Sequence, residues 1–237
     1  LDKYRFILDR IKKDTGKDIN IYQLPLDDKN VYQLFKNGYT GDVFHFGSKG
    51  LTKYCKQLKP DNIEDLFAAI SLYRPGAMEN NFHNDYVLRK EGQRDVEYWS
   101  GSEDILSPTY GVFCYQEQIM QLCQSLGGLN GVESDDVRRA MGKKDNDYLS
   151  KFKDRFIQNY CDNFGVDFDY ANDVWEAINK ASSYIFNRSH AAAYAITGYI
   201  GQWLKVHYPL QYWASALQFD DPNPKKSNVS RYIGEIR

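Results

Sequence analysis

The chain has 237 residues, 42% of them hydrophobic and 15% aromatic, enough apolar material for a packed core and too much for a disordered chain. Its 30 Lys and Arg against 32 Asp and Glu leave a formal charge of −2. A free-standing nucleic-acid binder is usually plainly basic, so any hold on phosphate must come from local clusters. There is no signal-peptide pattern and no uncharged apolar run long enough for a membrane helix.

In chain order, helical patterns dominate and the expected fold is mainly α, a multi-helix domain with at most a few short strands. Tyr4, Ile7, Leu8 and Ile11 share a helical face that Gly16 closes. Asp27 and Asp28 precede a second short helix carrying Val31, Leu34 and Phe35. The alternation over Gly41–Phe46 is the best strand candidate. Ser48 caps a helix to about Lys56, and Pro60-Asp61 opens another, with Glu64 three residues on as in a capping box. Arg74-Pro75-Gly76 ends it, because proline disfavours a helical residue before it. Residues 79–109 read as an irregular polar and aromatic arm. A helix follows over 115–126, a short one capped by Ser134 stops near Gly142, and two more cover 146–163 and 169–183. The last long helix, capped by Ser189, carries Ile196, Tyr199, Ile200, Trp203 and Leu204 and ends at His207-Tyr208-Pro209.

Cys55, Cys114, Cys123 and Cys161 show neither a C-x-x-C pair nor metal-ligand spacing. Three lie in apolar stretches, so buried reduced thiols are expected, which suits the cytoplasm. The pattern runs to Arg237 without a break, with Tyr232 and Ile233 still apolar, and reads as a piece of a longer chain.

Two basic clusters carry the chemistry. In Arg138-Arg139-Ala140-Met141-Gly142-Lys143-Lys144, four cations crowd around a glycine. Residues alone leave two readings: solvated cations at a helix C-terminus, where the dipole favours them, or a positive patch for an anion. In Phe186-Asn187-Arg188-Ser189-His190-Ala191-Ala192-Ala193-Tyr194, Arg188 and His190 flank a helix N-terminus, and no Asp or Glu occurs from Ala177 through Phe219. Cations do not stabilise that end of a helix, whereas its open N–H groups favour phosphate. The bland alternative is a buried helix whose alanines permit close packing. Asp167-Phe168-Asp169 imitates a metal pair but reads as the acidic start of a helix.

These residues bear a family likeness. Both clusters resemble signatures of the C-family DNA polymerases, the bacterial polymerase III α subunits, and further segments follow in the right order. They are Leu24-Pro25-Leu26-Asp27-Asp28-Lys29, Leu58-Lys59-Pro60-Asp61 with Glu64-Asp65, Arg74-Pro75-Gly76, Pro108-Thr109-Tyr110-Gly111, Tyr115-Gln116-Glu117-Gln118, and Trp203-Leu204-Lys205 with His207-Tyr208-Pro209. The likeness covers about Leu24 to Pro209. Departures are Arg188 in place of the family's usual Lys, Ala77 in place of Pro, and His45-Phe46-Gly47 where Gln-Leu-Glu is common.

The resemblance implies that residues 1–237 are a fingers-domain fragment adjoining the palm, with the palm, phosphoesterase (PHP) and C-terminal domains absent. It implies a DNA-directed DNA polymerase as parent, binding the incoming deoxynucleoside triphosphate and contacting template-primer DNA, with replisome subunits held through the missing domains. By the same resemblance, Arg138, Arg139, Arg188, Ser189 and His190 would meet the triphosphate and Tyr184 the base or sugar. Lys143 and Lys144 would meet nucleic-acid backbone. Mg²⁺ would be held by palm carboxylates outside the chain, so no catalytic or metal-ligating residue is expected here, and the fragment alone would be inactive. The alternative is a non-catalytic nucleic-acid-binding helical module derived from a polymerase.

Overall fold

Short polar caps and left-handed glycines mark out most of the helices. The computed structural model describes residues 2–143, 145–182, 184–223 and 225–236. Lys144, one of the lysines assigned to nucleic-acid backbone, lies outside the described residues. In chain order the helices are α1 (Asp2–Thr15), α2 (Lys29–Asn37), α3 (Lys49–Leu58), α4 (Ile63–Leu72), α5 (Pro75–Glu79), α6 (Phe82–Lys90), α7 (Glu103–Leu106), α8 (Gln116–Ser125), α9 (Gly131–Lys143), α10 (Asn146–Phe164), α11 (Phe168–Ser182), α12 (Arg188–His207), α13 (Pro209–Gln218) and α14 (Val229–Ile236). The fold is mainly α, and among the described residues the only β pairing is one isolated parallel bridge, Tyr115 with Phe186.

Asp28, Ser48 and Asp145 each accept a first-turn N–H, from Asn30, Leu51 and Tyr148, satisfying donors that a helix cannot satisfy itself. Asp167 does the same for α11, accepting from the Tyr170 N–H at 2.8 Å. Its carboxylate is therefore used as a cap.

Several elements depart from the sequence reading. Residues 41–46 form turns: Asp42 and His45 both have left-handed backbone, which breaks an extended run. Phe82–Lys90 is a helix where an irregular arm was expected. Helix α9 begins at Gly131, capped by Asn130, whose Oδ1 accepts from Val132 and Glu133. Ser134 is instead buried within that helix and bonds the Gly131 carbonyl. At α4, Asn62 accepts from Asp65, whose carboxylate takes the Asp61 N–H, so Glu64 is not the reciprocal residue. Pro209 ends α12 and also opens α13, since a proline at the first helical position needs no N–H partner.

The chain divides into two compact units, residues 1–69 with 192–237, and residues 70–191. In the first, Ile7 and Ile11 of α1 join Leu204, Tyr212, Trp213, Ala216 and Tyr232 in one core. Buried Lys205 donates to the Tyr39 and Gly41 carbonyls and pairs with Glu235 at 2.6 Å. Glu235 in turn accepts the Gly41 N–H. These bonds to the backbone fix the turns around Gly41.

The second unit is built on α8, α9, α10 and α11. Ile119, Leu122, Val137, Phe156, Val174, Trp175 and Ile178 fill its core, each fully buried apolar side chain contributing about 1.5–3 kcal/mol. Cys55, Cys114 and Cys123 are buried, Cys161 is half-buried, and all four are free thiols. No described helix is long and apolar enough to cross a membrane.

Candidate functional site

In the second unit the start of α8 is stitched to the start of α12. The Phe186 N–H donates to the Cys114 carbonyl at 3.1 Å, and the Gln116 N–H donates to the Phe186 carbonyl at 2.9 Å. Gln118 supports this bridge from beneath. It is buried, its Oε1 accepts from the N–H groups of Cys114 and Tyr115, and its Nε2 donates to Thr109 Oγ1 at 2.7 Å.

Each residue from Tyr115 to Glu117 then engages a basic segment. The Arg188 guanidinium lies 5.7 Å from the Tyr115 ring centroid. Gln116 Oε1 accepts from Arg138 Nη1 at 3.4 Å. Both carboxylate oxygens of Glu117 accept the Arg188 N–H, at 3.1 and 3.0 Å, and Oε1 also takes Asn187 Nδ2 at 3.0 Å. The first turn of α8 thus brings Arg138 and Arg188 to one neighbourhood, although 50 residues separate them in sequence.

Helix α12 starts two residues earlier than its sequence suggested. Asn187 caps it, Oδ1 accepting from the His190 N–H at 2.8 Å, and Ser189 lies inside the first turn. Glu117 supplies the negative charge that the positive end of the helix attracts. Of the first three N–H donors, this leaves that of Ser189 without a partner among the described residues. Arg188, Ser189 and His190 are exposed.

On α9, Arg138 and Arg139 sit mid-helix, and Lys143 alone is in the last turn. Asp135 bridges the two arginines, at 2.7 Å to each. The hydrogen bond from Arg138 holds the Asp135 carboxyl below its ordinary range. The pair therefore presents less net positive charge than its composition suggests. Arg139 and Lys143 point to a different place from Arg138, lining a cavity of about 270 Å³ with Asp136, Asp145 and Tyr148. Tyr184 packs against Phe82 at a tilt, with ring centroids 5.0 Å apart, and lines a cavity of about 310 Å³ that is also lined by Trp99, Phe113 and Arg89. Burial pushes its phenol up to about 12. The residues named from sequence fall into three places: Arg138 with Arg188, Ser189 and His190; Arg139 with Lys143; and Tyr184.

Comparison with known proteins bears on what such a constellation serves. Residues 1–163 match the family model described as the bacterial DNA polymerase III alpha subunit finger domain. The chain belongs to that family. It is 39% identical over 230 residues to the DNA polymerase III subunit alpha of Aquifex aeolicus, covering 97% of this chain and 20% of that protein. The subunit from Pseudomonas aeruginosa is 38% identical over 238 residues, with 98% and 20% covered. That from Campylobacter jejuni is 40% identical over 228 residues, with 96% and 19% covered. The chain thus spans about a fifth of the length of these polymerase subunits and corresponds to their fingers region.

For a polymerase III finger domain, the residues that the sequence undervalued are Tyr115, Gln116 and Glu117. In the sequence they stand only as the start of the helix over 115–126 and as one of the family-like segments. One signal was available: an unusually polar first turn on a helix that begins with an aromatic residue.

Proposed function

We propose that this finger domain holds the triphosphate of an incoming deoxynucleotide between Arg138 and the first turn of α12. The observation that carries the reading is the shared attachment of Arg138 and Arg188 to the start of α8. Arg188 and His190 offer side-chain donors, and Ser189 offers a hydroxyl and a first-turn N–H. Guanidinium groups suit phosphate because their donors form a planar fork. As pyrophosphate leaves, charge grows on its oxygens, so contacts to them strengthen toward the transition state and count toward rate. Glu117 takes the outermost N–H, which directs the ligand toward the side chains and the Ser189 N–H.

Arg139 and Lys143, facing a separate cavity, suit contact with the sugar-phosphate backbone of template-primer DNA, as does Lys144. Such contacts position a duplex without reading its sequence. Tyr184 lies two residues before Phe186 and belongs to the nucleotide side of the domain. The parent on this reading is a cytoplasmic DNA-directed DNA polymerase working with other replisome subunits.

Two-metal phosphoryl transfer in such an enzyme draws on Mg²⁺. The residues of this chain do not fit that ion: among those described, no three carboxylate, histidine or cysteine side chains come together to hold a metal. The ion's ligands belong to the parent outside this chain, and the chain alone is expected to leave a primer unextended with Mg²⁺ and nucleotides.

The test is Arg188→Ala in a polymerase III α subunit carrying this chain as its fingers. A lost charge-assisted hydrogen bond is worth about 1.5–3 kcal/mol, roughly a ten- to hundredfold rise in nucleotide KM. Primer-template affinity should stay within about twofold. Equal losses in nucleotide use and DNA affinity would instead favour a DNA-backbone role.

A further inference from the structure

Arg74 precedes Pro75, which opens α5. The residue before a proline is confined to extended backbone, and Arg74 sits there at φ −146°, ψ 150° with no capping hydrogen bond from its side chain. Gly76 lets this turn approach closely: a Cβ on it would lie 2.9 Å from the Tyr184 Cβ. The turn is thereby pressed against the segment leading into α12, and the Arg74 guanidinium comes 4.3 Å from the Phe186 ring centroid.

Phe186 is the bridge partner of Tyr115, whose ring faces Arg188. Its own ring also meets His190 edge-on, with centroids 5.1 Å apart. One bridge therefore presents two aromatic rings, each with a guanidinium, beside the first turn of α12. Arg74 is exposed, and among the described residues no carboxylate pairs with it. This distinguishes it from Arg138 and Arg139, which share Asp135. A ring holds a guanidinium through its face, while the N–H donors, which lie in the guanidinium plane, remain available.

We infer that Arg74 is a further triphosphate ligand, oriented by Phe186 and donating to a non-bridging phosphate oxygen alongside Arg188 and His190. The inference rests on the nucleotide reading proposed above. It assigns a binding role to a residue whose place at a helix end suggested only structure.

The experiment compares Arg74→Ala, Arg74→Lys and Arg188→Ala in a polymerase III α subunit with this chain as its fingers. Single-turnover incorporation gives nucleotide affinity, primer-template binding is measured separately, and inorganic triphosphate is titrated as a competitive inhibitor. Arg74→Ala should weaken nucleotide affinity about tenfold or more, the loss of one charge-assisted hydrogen bond. It should weaken inhibition by inorganic triphosphate by a similar factor, leave DNA affinity within about twofold, and be partly rescued by Arg74→Lys. A purely structural arginine would not move inhibition by a ligand that lacks base and sugar. Should the alanine variant melt early, Arg74→Gln, which keeps the stem and its packing, decides in its place. Unchanged nucleotide and triphosphate affinity in the Arg74 variants, with Arg188→Ala defective, overturns the role of Arg74 and leaves the wider reading standing. If Arg188→Ala is also unaffected, the nucleotide reading itself falls.

Discussion

Gln118→Ala is the substitution most exposed to the geometry described here. Its Oε1 is the acceptor for the N–H groups of Cys114 and Tyr115, at 2.9 and 3.0 Å, and those residues are 1% and 3% exposed. Leaving a buried donor unsatisfied costs about 1–3 kcal/mol, so two cost about 2–6 kcal/mol. Partial entry of water should bring the loss to about 3–4 kcal/mol, near the top of the range for single substitutions. The control is Gln124→Ala, the same change on the same helix. Gln124 is exposed and makes one bond, to Ser134 Oγ at 2.7 Å, worth about 0.5–1.5 kcal/mol. Urea unfolding, followed by hydrogen exchange of peptides from α8 to α11, reads the second unit by itself. The amides of Cys114 and Tyr115 should lose protection first. Equal destabilisation by the two alanine variants would refute the claim that Gln118 holds the bridge.

Three further outcomes follow from neighbouring residues. Glu117→Ala removes a carboxylate cap from α12 and should cost about 0.5–2 kcal/mol, seen as faster exchange of the Arg188 amide; unchanged exchange would mean that the cap carries no weight. Asp135 has a carboxyl pKa below its ordinary value, so its contribution is present above the unfolded pKa and lost as pH falls through the folded one. An NMR titration should show its inflection below that of exposed aspartates, with Arg138→Ala moving it back up. Burial raises the thiols of Cys55 and Cys123 to about 12 and that of Cys114 still higher, so at pH 8 a disulfide reagent should label half-buried Cys161 first and reach the other three only on unfolding.

The helices were legible where apolar spacing was regular and a short polar residue stood at the start, as at Asp28 for α2 and Ser48 for α3. Residues 41–46 misled because alternation over six residues specifies a strand only if every residue can be extended, and Asp42 and His45 are left-handed, in turns where distant Lys205 donates to the Gly41 carbonyl and Glu235 accepts the Gly41 N–H. Helix α6 was missed because polar and aromatic side chains blur its periodicity. The basic clusters stood out as local density of charge, and their meeting could not, since it depends on Gln116 and Glu117 reaching partners 22 and 71 residues away. Neutralisation was equally hidden: Asp135 lies three and four residues before the arginines it binds, but only the rotamers show that it serves both. Arg74 stood out only as the end of a helix and part of a family segment, because its contact with the Phe186 face leaves no signature in spacing.

A double-mutant cycle addresses the joint action of Arg138 and Arg188 most directly, with Arg138→Ala, Arg188→Ala and the pair compared in a polymerase III α subunit bearing these fingers. Affinity for deoxynucleoside triphosphate should show a coupling of about 0.5–3 kcal/mol between the two sites, as residues sharing one ligand do, while affinity for primer-template barely changes. Strict additivity in nucleotide affinity, together with coupling in DNA affinity, would contradict the account.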